Sequence, residues 1–122
     1  MLADTLMHPA VPPAAEPMPS FAQMQAAATQ ASTLLKVLSH PDRLLLLCQL
    51  SQGEYCVSEL EALIGLGQPS LSQQLGVLRQ EGLVETRRAG KQIYYRIISA
   101  DALAVLQVLY QRFCPDDHEV ST

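Results

Sequence analysis

The chain has 122 residues and a mass of 13.3 kDa, room for one domain rather than two. Hydrophobic residues make up 48% and charged residues 16%, which supports a packed core and excludes a wholly disordered chain. Aromatics are 5% with no Trp, which argues against an aromatic-rich nucleotide or sugar cleft. The apolar runs fall well short of the roughly 20 residues of a membrane span. Asp4 and His8 stand where a secretory leader would carry Lys or Arg, so a cytoplasmic location is expected.

Net charge is −4 and the sequence pI about 5.2, which taken whole speaks against nucleic acid. The distribution reverses this. Between residues 68 and 98, Arg79, Arg87, Arg88, Lys91 and Arg96 face only Glu81 and Glu85, while the rest of the chain sets Lys36, Arg43 and Arg112 against ten acids. A basic face on an acidic body can still bind phosphate, because screening is nearly complete beyond ~8–10 Å.

In chain order, residues 1–19 read as a disordered tail, since Pro9, Pro12, Pro13, Pro17 and Pro19 exclude a helix. Ser20 to Leu38 reads as a helix opened by a Ser20–Gln23 capping box, with Phe21, Met24, Ala28, Ala31, Leu35 and Leu38 at helical spacing. Its small residues suit a subunit interface. Ser39 is expected to cap a second helix, with Pro41 and Asp42 in its first turn. That helix is apolar almost all round from Leu44 to Leu50 and reads as the buried centre, ended by Gly53. A third helix spans about Val57–Ile64, with a Ser58–Glu61 capping box. After the Gly65-Leu66-Gly67 turn, Gln68 is expected to cap a fourth helix with Pro69 at its first position and Leu71, Leu75 and Leu78 inward; Gly82 closes it.

From Val84 the period changes to two. Val84–Arg88 and Gln92–Ile98 flank Ala89-Gly90-Lys91, a hairpin. Ser99 caps a last helix from about Asp101 to Phe113. One stripe of that helix is Leu103, Leu106, Tyr110 and Phe113, another Ala102, Val105 and Leu109, so it has two faces to bury, one on the domain and one on a partner subunit. Residues 115–122 form a C-terminal tail.

Helix, glycine turn, helix and basic hairpin in this order make a winged helix-turn-helix, mainly α with a two-stranded β-wing, over residues 20–114. The polar side of the fourth helix can enter a major groove about 12 Å wide. Gln68, Ser70, Ser72, Gln73 and Gln74 are the candidate base readers, and Arg79, Arg87, Arg88 and Lys91 the candidate phosphate contacts. Double-stranded operator DNA is therefore the expected partner. Nothing in the sequence pairs a nucleophile with a base or builds a phosphate loop, so an enzyme is not expected. A helical interaction module without DNA stays open as the alternative of another class. Cys48, Cys56 and Cys114 are an odd set, which leaves buried thiols, a metal site or a redox pair.

Gln68-Pro69-Ser70-Leu71-Ser72-Gln73-Gln74-Leu75-Gly76-Val77-Leu78-Arg79, with Gly82–Arg88, Ile93-Tyr94-Tyr95-Arg96 and Leu38-Ser39-His40-Pro41-Asp42-Arg43, resembles the ArsR (SmtB/ArsR) family of bacterial repressors. The resemblance spans roughly residues 20–114. It implies a homodimer, five helices and one wing, with the first and last helices at the interface. Position 74 is often His in that family and is Gln here, a change in expected base preference. Family metal sites do not transfer. Where a Cys-Val-Cys box would stand, the chain has Cys56-Val57-Ser58, one soft ligand where three or four are needed. The last helix has Asp101 but no His; His118 lies beyond Pro115. No metal and no cofactor are expected, although a metal- or peroxide-sensing repressor of the same fold stays open.

The Gly65–Leu75 run and both cysteine positions resemble the sulfide- and persulfide-responsive BigR/SqrR branch. That resemblance implies that Cys48 and Cys114 form a redox switch, linked by reactive sulfur species with release of DNA; it assigns Cys56 no role. A disulfide requires Cα atoms within ~7 Å, and each added S–S bond extends the reach by roughly 2 Å. Cys114 ends a helix beside Asp116 and Asp117, and Cys48 is flanked by apolar residues, so both are expected to favour the thiol over the thiolate.

Overall fold

The computed structural model describes residues 17–114. The two expected tails lie outside the described residues, except for positions 17–19, which are exposed. The elements are α1 (Phe21–Leu38), α2 (Pro41–Leu50), β1 (Tyr55–Cys56), α3 (Val57–Ile64), α4 (Gln68–Gln80), β2 (Val84–Ala89), β3 (Gln92–Ile97) and α5 (Ala100–Phe113). The chain divides into two units within α1, after Ser32.

In the first unit, α1 begins with the expected capping box: Ser20 N–H donates to Gln23 Oε1 at 2.7 Å and Gln23 N–H to Ser20 Oγ at 3.1 Å. Every described side chain of this unit is exposed.

The second unit holds the core. Val37 and Leu38 close α1 and are buried with Leu46, Leu47 and Leu50 of α2, Leu60 of α3, and Leu71, Leu75 and Leu78 of α4. Leu83, Val84, Ala102 and Leu106 complete the cluster. Six of these leucines are fully buried (Leu46, Leu47, Leu60, Leu71, Leu75, Leu78), each contributing about 1.5–3 kcal/mol by leaving water. Two expectations for α2 are corrected. His40, not Ser39, is its cap, its Nδ1 accepting from Asp42 N–H at 3.1 Å; Ser39 instead turns its hydroxyl back to Lys36 O. The helix is not buried all round: Leu45 and Cys48 are exposed.

The cap of α3 also moves by two residues. Cys56 is the N-cap residue, and its N–H donates to Glu59 Oε1 at 2.9 Å, in place of a Ser58–Glu61 box. Gly67, in extended backbone, caps α4, and Gln68 is already helical. At the far end Gly82 N–H donates to Arg79 O and Leu83 N–H to Leu78 O, a Schellman motif. Gly82 has φ +80, the left-handed value that motif needs.

The sheet is antiparallel in the order β1-β3-β2. Strand β1 was not expected; it pairs Tyr55 with Tyr95 and Cys56 with Tyr94. The hairpin is tighter than expected, because Ala89 belongs to β2 and pairs with Gln92, leaving only Gly90 and Lys91 in the loop. Gly90 has φ +64 and no non-glycine residue among those described has positive φ, the signature of a type II′ turn. In α5, Ser99 caps as expected, accepting from Ala102 N–H at 3.0 Å.

Candidate functional site

The turn between α3 and α4 sets the direction in which α4 leaves α3. Gly65 ends α3 at φ +84, a left-handed conformation that redirects the chain within two residues of the next helix cap. The residues buried in α4 are Leu71, Gln74, Leu75 and Leu78, one stripe at i, i+3, i+4 and i+7. Gln68, Ser70, Ser72, Gln73 and Arg79 lie outside that stripe and are exposed. Gln74 is the exception among the expected base readers and is corrected: it is 8% exposed, and its Oε1 accepts from Arg43 at 3.1 Å. The period from Leu71 already places residue 74 on the inner face, a signal outweighed by the polarity of the side chain.

The wing carries its charges in two states. Arg87 is bound: its Nε and a terminal nitrogen meet the Glu54 carboxylate at 2.9 and 2.8 Å, and its guanidinium lies 4.9 Å from the centre of the Tyr94 ring. Arg96 pairs with Glu85 across the ladder. Arg88 and Lys91, near the hairpin tip, are exposed.

The thiols follow a different pattern. Cys56 is buried, its Sγ 3.3 Å from Ser58 Oγ. Cys48 of α2 and Cys114 at the end of α5 are both exposed free thiols, and both line one pocket of about 280 Å³. Its walls are apolar: Leu44, Leu106, Leu109, Tyr110 and Phe113. Burial against these walls pushes the Cys48 thiol up, and the neighbouring Cys114 pushes it further. A second pocket of about 310 Å³ also reaches Cys48 and adds polar walls from Ser51, Gln52 and Gln107. Among the described residues no three His, Cys, Asp or Glu side chains gather as a metal site requires. No helix among them is long and apolar enough to cross a membrane.

Two short helices joined through Gly65-Leu66-Gly67 and followed by a basic hairpin with a two-residue loop define a winged helix-turn-helix protein. Residues 40–86 match the bacterial regulatory protein, arsR family. The biofilm growth-associated repressor of Xylella fastidiosa is 53% identical over 96 residues, covering 79% of this chain and 84% of that protein. Its counterpart in Agrobacterium fabrum is 48% identical over 104 residues, covering 85% and 86%. The crystal structure of the transcriptional repressor BigR from Xylella fastidiosa superposes with a TM-score of 0.73 at 52% identity, covering 80% of this chain and all of that one. The chain belongs to the arsR family of bacterial regulatory proteins. These relatives are regulators of transcription rather than enzymes.

Proposed function

We propose that the chain is a homodimeric transcriptional repressor that holds operator DNA while its thiols are reduced and releases it when reactive sulfur species link Cys48 to Cys114. The observation that carries the sensing half is the shared pocket: the two sulfurs line one apolar cleft, close enough for Cys114 to push the Cys48 thiol up. The DNA-binding half is supported by the exposed polar side of α4 and by the similarity to repressors. Gln68, Ser70, Ser72 and Gln73 read bases, and Arg79, Arg87, Arg88 and Lys91 hold phosphates. Dimerisation is assigned to α1 and α5, each of which presents large exposed apolar side chains, such as Phe21 and Met24 on one and Tyr110 and Phe113 on the other.

The chemistry is thiol–polysulfide exchange. Two cysteine thiols and one organic trisulfide give a sulfur-inserted Cys48–Cys114 bridge and two small thiols. The cysteines are oxidised, the donor is reduced, and the two thiol protons leave on the released thiols. The bridge pins the end of α5 to α2. Half-sites about 34 Å apart tolerate little change in the spacing of the reading helices.

The test compares binding to a duplex selected from a random library by the reduced chain. Parent protein treated with glutathione trisulfide should lose the duplex and show a Cys48–Cys114 product lengthened by sulfur in mass spectrometry. Cys48→Ser and Cys114→Ser should each keep it. Release with both thiols unmodified sinks the sensing mechanism.

A further inference from the structure

Arg43 lies outside both candidate sites yet touches the elements that carry them. It is on α2, five residues before Cys48. Its Nε donates to Val37 O at 2.8 Å and one terminal nitrogen reaches Lys36 O at 3.3 Å. These carbonyls belong to the last turn of α1, where carbonyls lack intrahelical partners and a cation is favoured. The other terminal nitrogen donates to Gln74 Oε1 at 3.1 Å, in the inner stripe of α4. One guanidinium thus ties the end of α1, the start of α2 and the middle of the reading helix. A glutamine among Leu71, Leu75 and Leu78 is costly to bury unless bonded, so this polar contact has a specific geometry to keep.

We propose that Arg43 and Gln74 form a strut that sets the angle of α4 and conveys the state of the Cys48–Cys114 pocket to it. Arg43 is a positioning residue for DNA binding. The second half of this statement rests on the thiol-switch reading. Helix α2 is one ten-residue rigid element, so a pull on Cys48 moves Arg43 with it. The planar donor fork cannot follow three acceptors at once, because hydrogen bonds weaken steeply with angle. The contact to Gln74 is the one that crosses to the reading helix, and its loss releases α4.

The experiment uses the full chain, the selected duplex and glutathione trisulfide, with Arg43→Met, Gln74→Met, their combination and Gln74→Glu. Thermal melts establish that each variant is folded. Either single Met variant, reduced, should bind about tenfold more weakly, the effect of losing one charge-assisted hydrogen bond. The double variant should bind no worse than the weaker single one, since both remove the same contact. Gln74→Glu keeps an acceptor for the cation and should retain binding. Treated Gln74→Met should form the Cys48–Cys114 bridge normally, while its reduced-to-treated affinity ratio shrinks towards one.

A folded Gln74→Met with parental affinity and parental ratio overturns the proposal. So do additive losses in the double variant, or a Gln74→Glu as damaged as Gln74→Met, which would reduce the contact to packing. If the treated parent keeps its DNA, the thiol reading and the conveying role fall together. The reduced-state comparison then still decides whether the strut positions α4.

Discussion

Cys48 sits in a setting that makes it a slow nucleophile at neutral pH. Apolar walls disfavour the thiolate, and a second thiolate at Cys114 would repel it. A sulfur switch built this way relies on the pairing of two thiols in one cleft rather than on the reactivity of either. The sign follows directly: a raised pKa keeps the folded-state sulfur protonated further into the alkaline range, so its reactive fraction is still small and climbing where an ordinary thiol of pKa ~8.5 is half ionised. Iodoacetamide labelling of Cys48, read by mass spectrometry, should therefore keep accelerating from pH 7 to 8.5 without a plateau. In Cys114→Ser the repulsion is gone, and labelling at pH 8 should be modestly faster. A plateau below pH ~8 would show a stabilised thiolate and overturn this account. The sequence disclosed the apolar flanks of Cys48 but not its exposure, because helical period alone does not say which of two apolar faces lacks a cover. Gln74 is the opposite case: polarity suggested the surface, and the packing stripe with Arg43 as partner placed it inside.

At the scale of elements, the helices and both wing strands were legible because each carries a period and its own punctuation. Leu71, Leu75 and Leu78 mark one face of α4, Gly82 its end, and Gly90 the hairpin. The two-residue β1 was not legible, since no period can show in Tyr55-Cys56; it exists by pairing with Tyr95 and Tyr94. Cap positions slipped where several candidates stood together, as at Ser39-His40, because the competition is settled by backbone geometry. The wing's internal pairing was likewise hidden, since Glu54 and Arg87 are 33 positions apart. That pairing divides the labour of the wing arginines. Arg87, though also exposed, pairs with Glu54 and lies over Tyr94, whereas Arg88 stands nearer the hairpin tip. Removing Arg88 should weaken DNA binding and lower the slope of log affinity against log salt by up to about one per subunit. Arg87→Ala should change the slope less, because its charge is already compensated. Equal slopes for parent and Arg88→Ala would place that side chain off the DNA.

On the scale of the whole molecule, the acidic body and the basic stretch from residue 68 to 98 impose opposite fields on a DNA duplex. A single copy offers few phosphate contacts against a net charge of −4, which is why the proposed function has two copies present their α4 helices together. Helix α5 shows apolar surface for which a monomer has no need: Val108, on the side away from Leu106, is 56% exposed, and Tyr110 and Phe113 towards the helix end are 58% and 78% exposed. The same helix supplies Leu106 to the core and Tyr110, Phe113 and Cys114 to the thiol pocket, so in the proposed function subunit contact and sulfur chemistry would share one element. Val108→Glu alters the outer side without touching that pocket. Sedimentation equilibrium should show the parent at twice its 13.3 kDa chain mass and Val108→Glu shifted towards a single chain. The variant should melt as a folded domain, since Leu106 and the other core leucines are untouched. Its salt slope for the selected duplex should fall to about half the parent's, as one reading helix and one wing replace two. A Val108→Glu protein that remains a dimer with the full slope would move the interface away from this face of α5.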